Sequence, residues 1–422
     1  MTVEPAASLR GEPVLPPDKS IAHRAALFAS IADGTSRIVN YPEAEDPQST
    51  LSCLRALGVR MGEQDGNLVI HGGGLHGFQE PAEPLDCGNS GTTMRLLAGL
   101  LAGQRFDSTL TGDDSLLGRP MNRIVEPLRT MGARIEARDG RAPLKIRGWG
   151  PLRATTYRLP VASAQVKSCV LLAGLYADGE SRVIESIPSR DHTERMLSLP
   201  TIDFGDGRTI SSEGGRRIDP RIWSIPADFS AAAFFLVAGS IVPNSELTMK
   251  NVGLNPTRAG LVDVLRAMGA DIRIENERAV GSEPIGDLTV RSSRLSGVTI
   301  GGDRIPVLID ELPVLAVAGA LADGETIIRD AGELRHKETD RIAATAAGLS
   351  ALGVRVEVRQ DGFTIRGGSG LTGGRVESRG DHRIAMAFAV AGLAAMDPVT
   401  IEGASCAAVS FPGFREALDA LR

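Results

Sequence analysis

An internal repeat constrains the fold of this chain more than any other feature. The phrases "RALGVRMGEQDGNLVIHGG", "RTMGARIEARDGRAPLKIRG", "RAMGADIRIENERAVGSEPIGDLTVRSS" and "SALGVRVEVRQDGFTIRGG", ending near residues 73, 148, 293 and 368, are variants of one theme. Each predicts a helix that stops at a glycine (Gly58, Gly132, Gly269 or Gly353), where a left-handed cap is needed, and then two strands joined by a turn. A degenerate copy, "TIDFGDGRTISSEGG", fills residues 201–215. A second phrase comes earlier in each unit: an apolar helix, then "ADG" and a strand, as in "SIADGTSRIV", "GLYADGESRVI" and "GALADGETII". The unit is therefore helix, strand, helix, strand, strand.

Counting weaker copies gives about six units of roughly 60 to 80 residues, a period suited to closed domains of three units rather than to a solenoid. At 422 residues the chain is also too long for a single core. The expected fold class is α/β, with two similar domains of three units each. The sixth unit stops at "FREALDALR" without its strand pair, so the N-terminal "ASLRGEPVL" is expected to supply a strand there. One domain is then discontinuous, residues 1–15 plus 228–422, with residues 16–227 inserted and a two-strand hinge near 15–17 and 224–228.

The second helix of each unit, such as "NRIVEPLRTMG", is amphipathic and belongs on the outside. The first is apolar nearly all round, as in "AALFASIA", "MRLLAGLLAG", "CVLLAGLYA", "AAAFFLVAG", "PVLAVAGALA" and "IAMAFAVAGLAAM", and must be buried. Polar residues stand before all six: "DKSIAHR", "CGNSGTT", "ASAQVKS", "ADFS", "DELP" and "GDHR". A helix N-terminus carries unpaired N–H groups and a partial positive charge, which makes it an anion site. Capping accounts for Ser20, Ser163, Asp228 and Asp381. It does not ask for Lys19, Arg24, Lys167 or Arg383, whose charges repel a positive helix end unless an anion lies between them. A phosphate or carboxylate ligand is the expectation.

Two more basic clusters begin outer helices: "LLGRPMNR" with Arg119, and "RHKETDR" with Lys337, Glu338 and Arg341. Helical spacing predicts that Lys337 and Arg341 share a face while Glu338 points about a hundred degrees away. "SRDHTERM" offers Ser189 and Arg190. Asp310 and Glu311 interrupt the apolar "IPVLIDELPVLAVAG", so one of them is a proton-transfer group, unless Asp310 only caps the helix.

Several classes of function are excluded. A net charge of −6 does not suit general nucleic-acid binding. The four cysteines, Cys53, Cys87, Cys169 and Cys406, form no C-x-x-C pair, so they are expected to be reduced core residues without metal. The N-terminus lacks a signal-peptide pattern and "AAAFFLVAGSIV" is too short to span a membrane, so a cytoplasmic protein without membrane partners is expected. No P-loop, G-x-S-x-G elbow or H-E-x-x-H motif occurs, and His71 and His76 are expected at the surface.

The segments "PPDKSIAHRA", "GNSGTTMRLLAG", "LLGRPM", "ASAQVKS", "SRDHTERM", "IDELPVLA", "HKETDRI", "GDHRIAMA" and "SFPGF" resemble, in order and spacing from end to end, the 5-enolpyruvylshikimate-3-phosphate synthase family. "ASAQVKS" and "SRDHTERM" are similar to its class II bacterial branch. The resemblance implies two domains of three βαβαββ units with buried parallel helices, the inside-out barrel of enolpyruvyl transferases. It implies a monomer with no metal or organic cofactor, closing on shikimate 3-phosphate and phosphoenolpyruvate. Carried over by position, Lys19, Ser20, Arg24, Ser163, Ala164, Gln165, Ser189, Arg190, Asp310 and Lys337 are expected to hold shikimate 3-phosphate. Lys19, Asn89, Gly91, Arg119, Gln165, Arg341 and Arg383 are expected to hold phosphoenolpyruvate.

The implied reaction is addition of the 5-hydroxyl to C2 of phosphoenolpyruvate followed by loss of phosphate. Asp310 is the expected base, Glu338 the expected acid towards C3, and Lys19 assists. Val409 stands before "SFP", where many relatives have a lysine that reaches phosphoenolpyruvate, and "MLSLPTIDFGDG" is atypical of the third unit. A related transferase that acts on UDP-N-acetylglucosamine is the nearest alternative. It usually carries a reactive cysteine where this chain reads "GDDSLLGRP" and a Lys-Asn pair where this chain has "DKS". A non-catalytic binder of phosphorylated metabolites is the other alternative, and it would gain nothing from acids beside its ligand.

Overall fold

The computed structural model describes residues 1–148, 150–205 and 207–422; Asp206, within the degenerate repeat, lies outside the described residues. Among the described residues six sheets follow the repeat. In the first unit Ile222–Ser224 runs parallel to Asp33–Val39, which pairs antiparallel with Asn67–Gly73, and that strand pairs in turn with Arg60–Gln64. The same order recurs in the second unit with Leu85–Asp86, Ser108–Thr111, Arg141–Arg147 and Arg134–Arg138. In the third it is built from Thr156–Arg158, Glu180–Glu185, Gly207–Glu213 and Thr201–Phe204. The C-cap glycines Gly58, Gly132, Gly269 and Gly353 have φ of 80°, 95°, 102° and 83°, the left-handed conformation that ends each outer helix before its hairpin.

The chain splits into two compact units. One comprises Met1–Pro16, Pro226–Ala279 and Pro284–Arg422, and the other Pro17–Ile225 with Val280–Glu283. Each has its own apolar core. The core helices of the inserted unit are Lys19–Ser30, Gly91–Leu101 and Ala164–Gly174; those of the discontinuous unit are Phe229–Ile241, Leu312–Leu321 and His382–Leu393. Every residue of His382–Leu393 is buried, as is all of Phe229–Ile241 except its last residue. Such helices have no polar face because none meets water. The three core helices of the discontinuous unit pack on one another.

The N-terminus does complete the sixth sheet, but not with the expected segment. Thr2–Val3 pairs antiparallel with Val399–Glu402, whereas Arg10–Gly11, inside "ASLRGEPVL", runs parallel to Glu246–Gly253 in the fourth unit. Ile222–Ser224, the strand just upstream of the fourth unit, is already paired with Asp33–Val39 in the first, and the fourth unit takes its parallel strand from Arg10–Gly11. Thr2–Val3, further upstream, serves the sixth.

Candidate functional site

In the inserted unit the N-termini of the core helices carry the expected polar groups. Asp18, rather than Ser20, caps the first, with its Oδ1 accepting from the Ile21 N–H at 2.8 Å. Ser20 falls inside the first turn, where its carbonyl accepts from Arg24 Nη1 at 3.0 Å. Lys19 Nζ lies 3.0 Å from Asp46 Oδ2 on the outer helix Glu45–Ala56. Arg24 is buried, with Nε donating to Thr193 Oγ1 at 2.8 Å and Nη2 to Ser168 Oγ at 2.9 Å. Burial lowers its pKa to about 10 against the pull of Glu194 and Asp18, and the Arg190 charge adds to that lowering. The guanidinium therefore stays charged near neutrality, with a second arginine close enough to repel it.

Ser90 caps the second core helix and Gly91 opens it. Asn89 Oδ1 accepts from Arg119 Nη2 at 2.6 Å, and Asn89 Nδ2 donates to Asp113 Oδ2 at 2.7 Å. A Cβ on Gly91 would stand 2.8 Å from Arg95 Nη1 and 3.3 Å from Arg119 Nη1, so two guanidinium groups converge over this glycine. Arg95 also donates to Gln165 Oε1, and Gln165 Nε2 donates to Thr92 Oγ1 at 3.0 Å, which ties the second helix start to the third. Ser163 caps that third helix, and Ala164 is its first residue. Asn89, Gly91, Arg119 and Gln165 are thus gathered around one spot. Arg95, which the reading of the sequence missed, sits among them. Its signal was an arginine one turn after Gly91 in the otherwise apolar "MRLLAGLLAG", a charge that a buried helix does not carry without a partner.

Lys167 departs from expectation. It is fully buried, 2.9 Å from Glu185 Oε1 and 2.7 Å from Glu194 Oε1, so carboxylates of the same unit compensate it and no external anion is required. Ser189 is also buried and donates its hydroxyl to Glu185 Oε2 at 2.7 Å.

In the discontinuous unit Asp310 gathers three cations. Lys337 Nζ lies 3.5 Å from Oδ1, Arg341 Nη1 lies 3.1 Å from Oδ1, and Arg383 Nη2 lies 3.6 Å from Oδ2. Arg383 Nη1 also donates to the Asp310 carbonyl at 3.2 Å. Arg341 is held in addition by Glu338 Oε2 at 2.6 Å and Asp381 Oδ2 at 2.7 Å. Burial alone would lower the Arg341 pKa, but Asp381, Glu338 and Asp310 together keep it above the ordinary guanidinium value. Glu311 is buried and accepts from Ser230 Oγ, with Arg383 Nη1 3.7 Å away.

Two local readings are corrected here. Lys337 and Arg341 do not share a helical face: Lys337 follows the short 3-10 turn Gly332–His336, and the outer helix begins only at Arg341, capped by Asp340. Asp340 bonds the Ala343 N–H at 3.0 Å, and this cap sets the later start. Asp310 does not cap the fifth core helix either, because Glu311 holds that position and makes no side-chain cap bond. Val409 ends the short helix Ala404–Val409, which packs on the sixth core helix. Among the described residues no group of His, Cys, Asp and Glu is arranged to hold a metal ion, and no helix is long and apolar enough to cross a membrane.

Chemically, the discontinuous unit offers a carboxylate surrounded by fixed cations, and the inserted unit offers Arg95 and Arg119 converging over the start of its second core helix. Three cations favour the ionised form of Asp310, the state a base requires, and Arg341 exerts the same pull on Glu338, against the protonated state an acid requires.

The family model of EPSP synthase (3-phosphoshikimate 1-carboxyvinyltransferase) matches residues 3–418. The 3-phosphoshikimate 1-carboxyvinyltransferase of Salinibacter ruber is 60% identical over 99% of this chain and 98% of its own length. The solved EPSP synthase from Acinetobacter baumannii superposes with a TM-score of 0.87 at 43% identity, covering 100% of this chain and 97% of that one. The enolpyruvyl transferase NikO from Streptomyces tendae shares the fold, with a TM-score of 0.79 at 19% identity over 100% of this chain and 96% of that one. With a full-length family match, and a relative at that identity, the chain belongs to the EPSP synthase (3-phosphoshikimate 1-carboxyvinyltransferase) family.

Proposed function

We propose that this chain transfers the enolpyruvyl group of phosphoenolpyruvate to the 5-hydroxyl of shikimate 3-phosphate, yielding 5-enolpyruvylshikimate 3-phosphate and phosphate. The hydroxyl oxygen bonds to C2 of phosphoenolpyruvate while C3 gains a proton. C3 then gives a proton back, the C–O bond to phosphate breaks, and the enol ether remains. The observation that carries this reading is Asp310, a carboxylate held by Lys337, Arg341 and Arg383 in a chain 60% identical to a 3-phosphoshikimate 1-carboxyvinyltransferase. A binder of phosphorylated metabolites has no use for an acid at that position.

In this reading Asp310 accepts the hydroxyl proton. Glu338 supplies the proton to C3 with help from Lys19, and phosphoenolpyruvate drawing Arg341 away would raise the affinity of Glu338 for a proton. Lys19, Ser20, Arg24, Ser163, Ala164, Gln165, Arg190, Asp310 and Lys337 hold shikimate 3-phosphate, while Ser189, whose hydroxyl and N–H are given to Glu185, sets the turn before Arg190. Asn89, Gly91, Arg119, Gln165, Arg341 and Arg383 hold phosphoenolpyruvate, and Arg95 joins them because it shares the Gly91 position with Arg119. Positive groups set around the departing phosphate stabilise charge that gathers there in the transition state. Residues 1–15 with 228–422, and 16–227, act as two domains hinged near 15–17 and 224–228, in a cytoplasmic monomer.

Phosphate release measured with each substrate alone and with both tests the function. Release only with both is the expected result. Release with phosphoenolpyruvate and UDP-N-acetylglucosamine, or binding without turnover, would overturn it.

A further inference from the structure

The buried ion pair of Lys167 and Glu185 has no part in the reaction just described; Lys167 also meets Glu194 Oε1 at 2.7 Å, and both members of the pair reach Ser189. Glu185 ends the strand Glu180–Glu185, and three exposed residues, Ser186, Ile187 and Pro188, loop out before the chain returns at the buried Ser189. Glu185 Oε2 accepts both the Ser189 N–H at 3.2 Å and the Ser189 hydroxyl at 2.7 Å. The Ser189 carbonyl accepts from Lys167 Nζ at 3.2 Å and from Arg208 Nη2 at 3.4 Å. Arg208 Nε and Lys167 Nζ also meet the other Glu185 oxygen, Oε1, at 2.7 and 2.9 Å. All three polar groups of Ser189 are therefore fixed, and the outward loop is closed at its neck.

A buried ion pair is an expensive way to gain stability, since apolar residues of the same volume often serve as well. Apolar residues would not fix the backbone of a turn at its N–H, carbonyl and hydroxyl together. The residue leaving that clamp is Arg190, whose charge is felt by Arg24.

We propose that Glu185, charge-balanced by Lys167 and Arg208, is a positioning residue that holds the Ser189–Arg190 turn in the conformation that receives the phosphate of shikimate 3-phosphate. This rests on the function proposed above. Glu185 touches no substrate; it acts through Arg190. Arg190 is the cation at this turn, so loss of the clamp is expected to weaken the phosphorylated substrate and to leave the unphosphorylated ring and phosphoenolpyruvate unaffected.

The test uses the full-length enzyme and the variants Glu185→Gln, Arg208→Met, Arg190→Ala and the Glu185→Gln/Arg190→Ala double variant. Wild-type turnover with both substrates comes first, since its absence would sink the proposed function and not this inference. Calorimetric titration should show shikimate 3-phosphate bound roughly tenfold more weakly by Glu185→Gln, with shikimate affinity and the KM for phosphoenolpyruvate unchanged, and no further loss when Glu185→Gln is added to Arg190→Ala. Should the amide variant fail to fold, Arg208→Met carries the test: it keeps the Lys167–Glu185 pair and is expected to weaken shikimate 3-phosphate about threefold, with shikimate again unchanged. Equal weakening of shikimate and shikimate 3-phosphate, unchanged affinity for both, or full additivity with Arg190→Ala would overturn the inference.

Discussion

Arg341 Nε lies 2.7 Å from Asp381 Oδ2, and both side chains are almost completely withdrawn from water. Asp381 also caps the sixth core helix, its Oδ1 accepting from the Arg383 N–H at 2.9 Å. One carboxylate thus orients two arginines, one through its charge and one through the helix start. Asp381→Ala removes both roles and leaves Arg341 to Glu338 and Asp310; the lost buried pair then costs less than the about 3–5 kcal/mol of a wholly uncompensated charge, and the lost cap about 1 kcal/mol more. Asp381→Asn keeps a capping acceptor and should lose only the first part. Urea midpoints of the two variants check this ordering, and an Asn variant as unstable as the Ala variant would contradict it.

Gly91 is required for space rather than for backbone freedom. An added Cβ meets the tips of the Arg95 and Arg119 side chains at 2.8 and 3.3 Å, groups that also bond Gln165 and Asn89. Displacing Arg95 disturbs its bond to Gln165, so Gly91→Ala should cost about 1 kcal/mol of stability. The displaced guanidinium groups should raise the KM for phosphoenolpyruvate several-fold, with kcat and the KM for shikimate 3-phosphate little altered. Steady-state kinetics at varied phosphoenolpyruvate decides this, and an unchanged KM would show that neither arginine faces that substrate.

The repeat was readable from the sequence because period and punctuation agree: apolar helices, then glycine caps such as Gly58 and Gly353, then alternating strands. The polar starts of the core helices were readable for the same reason, since each interrupts an apolar pattern. What escaped was set by tertiary pairing. Lys167 looked like a ligand group because its carboxylate partners come from Glu185 and Glu194, which lie 18 and 27 residues further on. Lys337 and Arg341 fit a helical spacing, and only the Asp340 cap reveals that the helix starts after Lys337. Strand assignment at the N-terminus failed because Thr2–Val3 is too short to carry a period.

His23 gives the inserted unit an acid-sensitive point. Its Nδ1 is 2.7 Å from Thr50 Oγ1 in the core, and burial, followed by the Lys19 and Arg24 charges, pushes its pKa well below the ordinary 6.5. Above that value the ring is neutral in both folded and unfolded chains and has no pH-dependent effect. As pH falls below about 6.5 the unfolded chain takes up a proton that the folded one refuses, so stability falls, by up to about 1.4 kcal/mol per pH unit for one group. His23→Gln should flatten the loss of stability between pH 6.5 and 5 while changing little of the slope above pH 7. Parallel curves for variant and parent across that window would refute the assignment.

Val3 tests whether two residues of strand can close a sheet. It pairs with Val399, is 2% exposed, and stands where a Cβ on Gly392 would meet its Cβ at 3.0 Å and its Cγ1 at 3.2 Å. The valine therefore fills a notch that a glycine leaves in the sixth core helix, the helix that also presents Arg383. Val3→Ala should cost about 2 kcal/mol from lost burial, and Gly392→Ala about 1–3 kcal/mol from overpacking against the valine. Val3→Ala keeps the Cβ that stands 3.0 Å away and removes only the Cγ1 contact at 3.2 Å, so if the two sites share one volume the double variant recovers part of the second loss. A double variant whose urea midpoint drops by the sum of the single changes would mean that Val3 and Gly392 do not fill the same space, and that the short strand closes the sheet through its backbone bonds alone.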